Sequence, residues 1–306
     1  MSKIIVTAGR QGADIDVLAC VVAYAELLRL EGKEGLPVVA GNFTASVTPS
    51  ILAWGAQYES SYTPTGTEEF VLVDISEPDH VPDFLDLDRV REVYDHRHGF
   101  ETFWNERLGS DAHIEDIGAC GTQIWEEFVK RGKTNEISET AARLLLASIV
   151  SNTLNFQGTV TTERDKKAYE ELKPFANLPE DWVHLYFAEQ ETLLQENFTE
   201  LFKTDTKRFQ IGEGEFVIAQ LELWDASSIL ETRISDIDSL MKEYEPAPWI
   251  VNIASISHGR SFLYSTSEEG KRIIAGLLDV TFTGNIAQTK HLVLRKEIIG
   301  ATRKKK

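Results

Sequence analysis

The chain has few cysteines and few basic residues. Only two of its 306 residues are cysteines, and its acidic residues outnumber its basic ones. Cys20 and Cys120 lie in apolar helical or helix-start segments, so we predict buried free thiols rather than a disulfide or a zinc site. The 31 basic and 49 acidic residues give a net charge of −18, which argues against nucleic acid or an anionic membrane as the main partner. Small anions are not excluded, because a local cluster of cations or metals can reverse the field within a cleft.

Long apolar runs are also absent. None approaches the roughly 20 residues that a transmembrane helix needs, and the N-terminus enters a strand-like run with no signal-peptide pattern. We therefore expect a cytoplasmic protein that does not enter a membrane. With 42% hydrophobic residues, a chain of this length can bury a sizeable core, in one large domain or in two of ordinary size.

Strand-like runs alternate with helical patterns over the first half of the chain. This alternation is typical of an α/β fold with a parallel, doubly wound sheet. The clearest predicted strands are 4–6, 37–40, 70–74 and 90–95, and the clearest predicted helices are 17–28, 47–54, 121–130 and 138–151.

Polar side chains follow three of these strands. Asp14 and Asp16 come after the first strand, Asp74 ends the strand at 70–74, and Asp95 and His96 end the strand at 90–95. Each residue alone is more often a helix cap, a turn former or a structural histidine. The carboxyl ends of parallel strands lie along one edge of a sheet, where ligands bind, so we predict a shared site. Carboxylate and imidazole ligands together suit Mn²⁺ or Mg²⁺, with Co²⁺ or Fe²⁺ as alternatives.

The second half of the chain predicts a smaller mixed α/β domain. We place the boundary between Pro174 and Glu189, so that the domains are 1–184 and 190–306. Strands are predicted at 215–221 and 249–256, with runs 273–279 and 289–294 completing a mixed sheet.

These motifs, taken in order, resemble the DHH phosphoesterase superfamily, and within it most closely the family II, manganese-dependent inorganic pyrophosphatases. The resemblance covers nearly the whole chain and implies a DHH metal-binding domain, a DHHA2-type phosphate-binding domain and a homodimer. The matching segments are Gly9-x-x-x-x-Asp14-x-Asp16, Asp74-Ile-Ser-Glu77, Asp95-His96, 148–156, 161–165 and Leu294-Arg295-Lys296-Glu297.

The resemblance also implies a role for each matched residue. In the family, two divalent ions share a bridging carboxylate, which Asp74 would supply, and they activate the water that attacks phosphorus. The implied metal ligands are Asp14, Asp16, Asp74, His96 and Asn152. The implied substrate contacts are Arg10, Arg97, Arg295 and Lys296. The implied catalytic residues are Asp74, His96, Arg10, Arg97 and His98.

Three substitutions depart from the family pattern. Arg10 stands where the first motif has a metal-ligating histidine, Arg97 replaces the second histidine of Asp-His-His (with His98 one place later), and Asn152 replaces an aspartate. A guanidinium has only hydrogen-bond donors and stays charged, so Arg10 would repel one metal and attract phosphate. We therefore predict weaker or fewer metals, with Arg10 taking over part of the first metal's electrostatic role.

The function predicted from these residues is hydrolysis of pyrophosphate to two phosphates by a metal-dependent phosphohydrolase. Two alternatives stay open: an exopolyphosphatase-like or other phosphoesterase activity, and a decayed site that binds phosphate or nucleotide without turnover. A dinucleotide-dependent dehydrogenase is disfavoured, because Gly9 and Gly12 do not give the Gly-x-Gly-x-x-Gly spacing.

Overall fold

The computed structural model describes residues 3–211 and 214–304, which form two compact units. The first unit extends to Trp182, apart from residues 157–159, which group with the second unit. Among the described residues, no helix combines the length and the apolar character needed to cross a membrane.

The first unit contains a five-stranded parallel sheet with strand order β2-β1-β3-β4-β5. The order reverses between β1 and β3, and such a reversal marks the point where ligands bind in doubly wound sheets. The strands are β1 (Ile4–Thr7), β2 (Gly35–Val38), β3 (Glu69–Val73), β4 (Val90–Asp95) and β5 (Ala112–Ile114). The helices of this unit are α1 (Ile15–Leu30), α2 (Pro49–Leu52), α3 (Glu101–Leu108), α4 (Cys120–Lys130), α5 (Glu139–Asn152) and α6 (Glu163–Ala176). The predicted parallel α/β fold is confirmed.

Helix α1 lies at the centre of the first unit and packs against α4 and α5. Every residue from Ile15 to Ala25 is buried, and a helix that is apolar on all sides is typical of the middle of a large core. Cys20 and Cys120 are free and buried, as predicted.

The second unit contains a five-stranded mixed sheet with order β10-β9-β8-β7-β6. Only β7 and β8 pair in parallel; the other neighbours are antiparallel. Its strands are β6 (Thr206–Ile211), β7 (Gly214–Leu223), β8 (Trp249–Ser255), β9 (Arg260–Tyr264) and β10 (Ile286–Gln288). Its helices are α7 (Trp182–Glu196, whose first residue belongs to the first unit), α8 (Phe198–Thr204), α9 (Ser227–Thr232), α10 (Ile234–Met241), α11 (Glu268–Leu278) and α12 (Arg295–Lys304).

Both faces of this second sheet are buried. Successive side chains of a strand point to opposite faces, and in β7 Val217 joins one apolar cluster while Ile218 joins the other. The central strands therefore read as continuous apolar runs, which is why they were recognisable in the sequence.

The predicted strand at 273–279 is wrong, because residues 273–278 lie in α11 and Asp279 is its C-cap. The helix begins upstream, where the Ser267 hydroxyl caps it by accepting a hydrogen bond from Gly270 N at 3.1 Å. Within the helix the apolar run buries Ile274 against the sheet. A short apolar run fits either a strand or one helical face, and here the upstream cap selects the helix.

The predicted strand at 289–294 is also wrong; β9 and β10 complete the sheet instead. Two side chains and one backbone oxygen of β9 satisfy backbone groups of this segment. Val293 N donates to Ser261 Oγ at 3.0 Å, Val293 O accepts from Asn252 Nδ2 at 2.7 Å, and Thr289 N donates to Ser261 O at 3.0 Å. Thr289 and residues 292–294 are therefore buried without forming a strand, whereas Lys290 and His291 are exposed.

The close packing of α11 on β8 generates a prediction for two glycines of the same helix. A Cβ at Gly270 would lie less than 3.0 Å from the carbonyl oxygen of Trp249, whereas a Cβ at Gly276 would have no atom within 4 Å. We expect Gly270→Ala to lower the free energy of unfolding by about 1–3 kcal/mol, because the backbone must move apart. Gly276→Ala should raise it by about 0.5–1 kcal/mol through helix propensity. Urea unfolding followed by tryptophan fluorescence measures both, and equal effects would contradict the packing.

Candidate metal centre

Three adjacent parallel strands place polar residues at one edge of the first sheet. Asp16 follows β1, Asp74 follows β3, and His96 follows β4. All three side chains are buried, and one ligand atom from each lies within 4.8 Å of the other two. His96 Nε2 is 3.3 Å from Asp74 Oδ1 and 3.9 Å from Asp16 Oδ2. The structure thus brings these three predicted residues into one cluster.

The orientation of His96 is set by the other nitrogen of its ring. Nδ1 lies 3.0 Å from Gly118 O and 3.3 Å from Ile117 O, and since carbonyl oxygens only accept, Nδ1 carries the proton. Nε2 therefore faces the two carboxylates, and in the neutral form of the ring it presents its lone pair to them. The carbonyl-bearing loop is itself held by Asp165, which accepts from Gly118 N at 3.0 Å and Ala119 N at 3.3 Å.

Asp16 is held by the N-terminus of α4. Its Oδ2 accepts from Cys120 N at 2.9 Å, and its Oδ1 accepts from Gly121 N at 2.9 Å and from Ser148 Oγ at 2.6 Å. Backbone N–H groups and the helix dipole favour negative charge at this position. Burial and then the charge of Asp74 nevertheless raise the pKa of Asp16, so the carboxylate is short of positive charge.

Asp74 has a left-handed backbone with φ of 53°, an uncommon conformation that turns the chain sharply after β3. Its Oδ2 accepts from Arg97 Nη2 at 2.9 Å, and its backbone oxygen accepts from Arg97 Nη1 at 2.7 Å. Burial opposes the charge of Asp74, but the neighbouring guanidinium of Arg97 outweighs it and lowers the pKa of Asp74. Arg97 Nη1 also lies 3.9 Å from Asp95 Oδ1.

The cluster fits a divalent cation. Asp74 Oδ1 is a buried oxygen with no hydrogen-bond partner among the described residues, and the atom opposite it is Nε2 of His96. When the ring is neutral, Nε2 and the carboxylate oxygens are electron-pair donors that face one another, and in a buried site they repel unless a proton or a metal cation lies between them. Two carboxylates and one imidazole, with the imidazole oriented by a backbone carbonyl, are a typical donor set for Mn²⁺ or a related metal.

Two of the predicted metal ligands have other contacts. Asp14 caps α1 by accepting from Val17 N at 3.0 Å, and burial followed by the charges of Asp74 and Asp16 raises the pKa of Asp14 to about 7. Asn152 lies in the last turn of α5, where Nδ2 donates to Ser148 O at 3.3 Å. Ligation by either residue stays a prediction.

Arg10 and His98 lie at the surface and outside the three-residue cluster. Arg10 Nη1 pairs with Asp83 Oδ1 at 2.7 Å, and His98 Nδ1 pairs with Glu101 Oε1 at 2.6 Å. The arginine that contacts Asp74 is Arg97, and the electrostatic role predicted for Arg10 stays a prediction.

Arg295 and Lys296 begin α12 in the second unit. The guanidinium of Arg295 binds Asp205, with Nη1 at 2.5 Å from its backbone oxygen and Nη2 at 2.8 Å from Oδ1. Lys296 is exposed. Their role in binding phosphate stays a prediction.

Sequence reasoning missed the residues that support the cluster. Asp165 positions the loop under His96, and a Cβ at Gly118 would lie 2.7 Å from Asp165 Oδ2, so glycine is required there. Ser148 Oγ and the backbone N of Gly121 support Asp16, because both donate hydrogen bonds to its Oδ1. The Thr162-x-x-Asp165 spacing of a capping box was the available signal, and the structure contains that capping box.

The raised pKa of Asp14 predicts a pH-dependent effect of Asp14→Asn in the metal-free protein. The native carboxyl, with a pKa of about 7 against an ordinary 3.8, binds its proton more tightly than the unfolded one. Its stabilising effect is complete below pH 3.8 and is lost as the pH rises through 7. Asparagine keeps the cap. In urea unfolding with EDTA, we expect Asp14→Asn to stabilise by about 2–4 kcal/mol at pH 8 and by much less at pH 4. Equal effects at both pH values would contradict the shift.

The hydrogen bond from Ser148 predicts a role in cation affinity. We expect Ser148→Ala to weaken Mn²⁺ binding by about 10-fold or more, because residues that orient a metal ligand typically contribute about 10–100-fold. Isothermal titration calorimetry of metal-depleted protein measures the affinity. Thr140→Ala on the same helix removes a hydroxyl that donates to Trp54 O at 3.2 Å, and should leave the affinity unchanged. A comparable loss in both variants would rule out a specific role for Ser148.

Comparison with known proteins agrees with the resemblance that the sequence motifs indicate. No protein-family model matches the chain. A probable manganese-dependent inorganic pyrophosphatase of Bacillus licheniformis is 27% identical over 98% of this chain and 97% of its own length. A probable enzyme of the same kind from Bacillus pumilus is 28% identical over 94% of each chain.

Solved structures support the fold. The crystal structure of a putative family II inorganic pyrophosphatase from Methanococcus jannaschii superposes with a TM-score of 0.70, at 20% identity and 98% coverage of both chains. An exopolyphosphatase-related protein from Bacteroides fragilis gives a TM-score of 0.50 at 10% identity, covering 99% of this chain and 91% of that one. The resemblance predicted from the strand-end motifs is therefore confirmed: along nearly its whole length, the chain is similar to manganese-dependent inorganic pyrophosphatases.

Proposed function

We propose that this protein is a divalent-cation-dependent phosphohydrolase that cleaves phosphoanhydride bonds, with inorganic pyrophosphate as its substrate and Mn²⁺ as its cation. The observation that carries the proposal is the buried cluster of Asp16, Asp74 and His96, in which Asp74 Oδ1 lacks a hydrogen-bond partner within the described chain. The full-length similarity to pyrophosphatases named as manganese-dependent supports the choice of substrate and metal.

Each residue of the cluster has a definable task. The carboxylates of Asp16 and Asp74 and the Nε2 atom of His96 would hold the cation. When bound, a divalent cation supplies a Lewis acid for phosphoryl oxygens and lowers the pKa of water at the site. In the metal-free protein, burial and then the charges of Asp74 and Asp16 raise the pKa of Asp14 to about 7.

Arg97 is the candidate substrate contact nearest to the cluster. It is half exposed, and only two of its five N–H groups are used on Asp74. The remaining donors and the fixed positive charge suit the oxygens of a phosphoanhydride, whose negative charge redistributes in the transition state. The cytoplasmic location stays a prediction from the sequence, and the homodimer stays a prediction from the resemblance.

Phosphate release from a substrate panel tests the proposal. Metal-depleted protein would be assayed with Mn²⁺, Co²⁺ or Mg²⁺ on pyrophosphate, tripolyphosphate and p-nitrophenyl phosphate. We expect Mn²⁺-dependent release from pyrophosphate and a loss of about 100-fold or more in Asp74→Asn, because the variant loses a charged metal ligand. Asp116→Asn, at a carboxylate whose side chain is 95% exposed, is the matched control and should keep its activity.

The other outcomes distinguish the alternatives. Release from tripolyphosphate without release from pyrophosphate would favour an exopolyphosphatase-like enzyme. Binding of pyrophosphate without release, with all three metals, would favour a decayed binding site. Activity that survives Asp74→Asn would remove the cluster from the mechanism.

A further inference from the structure

The two carboxylate oxygens of Asp74 face different partners. Oδ1 faces His96 Nε2 at 3.3 Å inside the three-residue cluster. Oδ2 faces Arg97 Nη2 at 2.9 Å. A carboxylate that bridges two cations uses one oxygen for each, so in this chain the second oxygen already has a cationic partner, and that partner is a side chain.

The guanidinium of Arg97 is held at that position by more than one contact. Nη1 donates to the backbone oxygen of Asp74 at 2.7 Å and lies 3.9 Å from Asp95 Oδ1. Asp14 also contributes a negative charge that acts on Arg97. A planar guanidinium that binds one residue through two nitrogens is well oriented, and it stays protonated at any physiological pH.

We propose that the site binds one divalent cation, on Asp16, Asp74 and His96, and that the Arg97 guanidinium occupies the position on Asp74 Oδ2 that a second cation would take. The inference builds on the metal site of the proposed function. Arg97 then has two roles. Its permanent positive charge replaces a second cation on Asp74, and its remaining exposed N–H donors are available to bind substrate.

The geometry disfavours a second cation beside Arg97. A divalent metal binds a carboxylate oxygen at about 2.0–2.6 Å, so a metal on Oδ2 would be adjacent to Nη2, which is 2.9 Å from the same atom. Two positive charges that share one oxygen repel strongly in a buried site. Guanidinium has no lone pair to offer as a ligand, so it cannot contribute to a second metal shell.

This assignment differs from the one that the sequence suggested. There, Arg10 was expected to replace the first metal electrostatically, but Arg10 pairs with Asp83 and its side chain is 42% exposed. The effect on metal number follows instead from the residue after His96.

Metal stoichiometry and electron paramagnetic resonance test the inference without any activity measurement. Wild-type protein saturated with Mn²⁺ and freed of unbound metal should contain one Mn per chain by plasma mass spectrometry. Its spectrum should be the six-line signal of an isolated Mn²⁺, with no exchange coupling between paired ions. Two tightly held Mn per chain with an exchange-coupled signal would overturn the inference.

Substitution of Arg97 separates its role from that of Arg10. Arg97→His replaces the guanidinium by a possible ligand, and we expect the stoichiometry to rise from one to two. Arg97→Met removes the charge without adding a ligand, and should bind a second Mn²⁺ weakly or not at all. The matched control Arg10→Met should keep one Mn, with circular dichroism confirming that each variant is folded. One Mn in a folded Arg97→His, or two in Arg10→Met, would overturn the assignment to Arg97.

The results also keep this inference distinct from the proposed function. Two bound Mn with release of phosphate from pyrophosphate would overturn the inference and leave the proposed function standing. One bound Mn with no release from any substrate would do the reverse. If the wild type binds no Mn, so that Asp74→Asn has no binding to remove, both the inference and the proposed function are overturned.

Discussion

Two buried carboxylates, Asp16 and Asp74, face one imidazole at the carboxyl ends of adjacent parallel strands. Because these charges are removed from water, the neighbouring groups must compensate for the lost hydration. A buried carboxylate without a compensating partner is strongly unfavourable. The protein meets this demand with N–H groups on Asp16 and a guanidinium on Asp74. One side of the cluster still lacks positive charge, and this is the side that faces His96 Nε2.

The support of the cluster comes from elements far apart in the sequence. The start of α4 provides backbone donors to Asp16, and Ser148 of α5 adds a hydroxyl donor. Asp165 joins the capping box of α6 to the loop whose carbonyls orient His96. Such outer contacts determine where ligand atoms lie and how basic they are, so they contribute to cation affinity as directly as the ligands do. The close approach of these elements also explains why glycine is needed at Gly118 and Gly121.

Similarity to proteins named as manganese-dependent pyrophosphatases extends over nearly the whole chain, and the sequence resemblance predicts that Arg97 stands where that family has a histidine. In this chain, Arg97 brings a permanent charge to an oxygen of Asp74. Because a side chain of the protein neutralises part of the negative charge of the site, the site depends less on bound metal ions. The same half-exposed arginine retains free donors, so one side chain can serve both Asp74 and an anionic ligand.

The sequence by itself determined the parallel α/β sheet and the positions of Asp16, Asp74 and His96, because apolar runs and strand-end polar residues are local features and parallel strands end at one edge. It also indicated the family, through the order of those motifs. Only the tertiary structure decided that Arg97 rather than Arg10 contacts Asp74, and that Asp14 caps α1. Local patterns do not encode how far a long side chain reaches or which distant segment meets it. In the second unit, likewise, the apolar residues of 273–279 and 289–294 were readable, but a short apolar run fits either a strand or one face of a helix. The irregular backbone of 289–294 depends on the side chains of Ser261 and Asn252, which are remote in the chain.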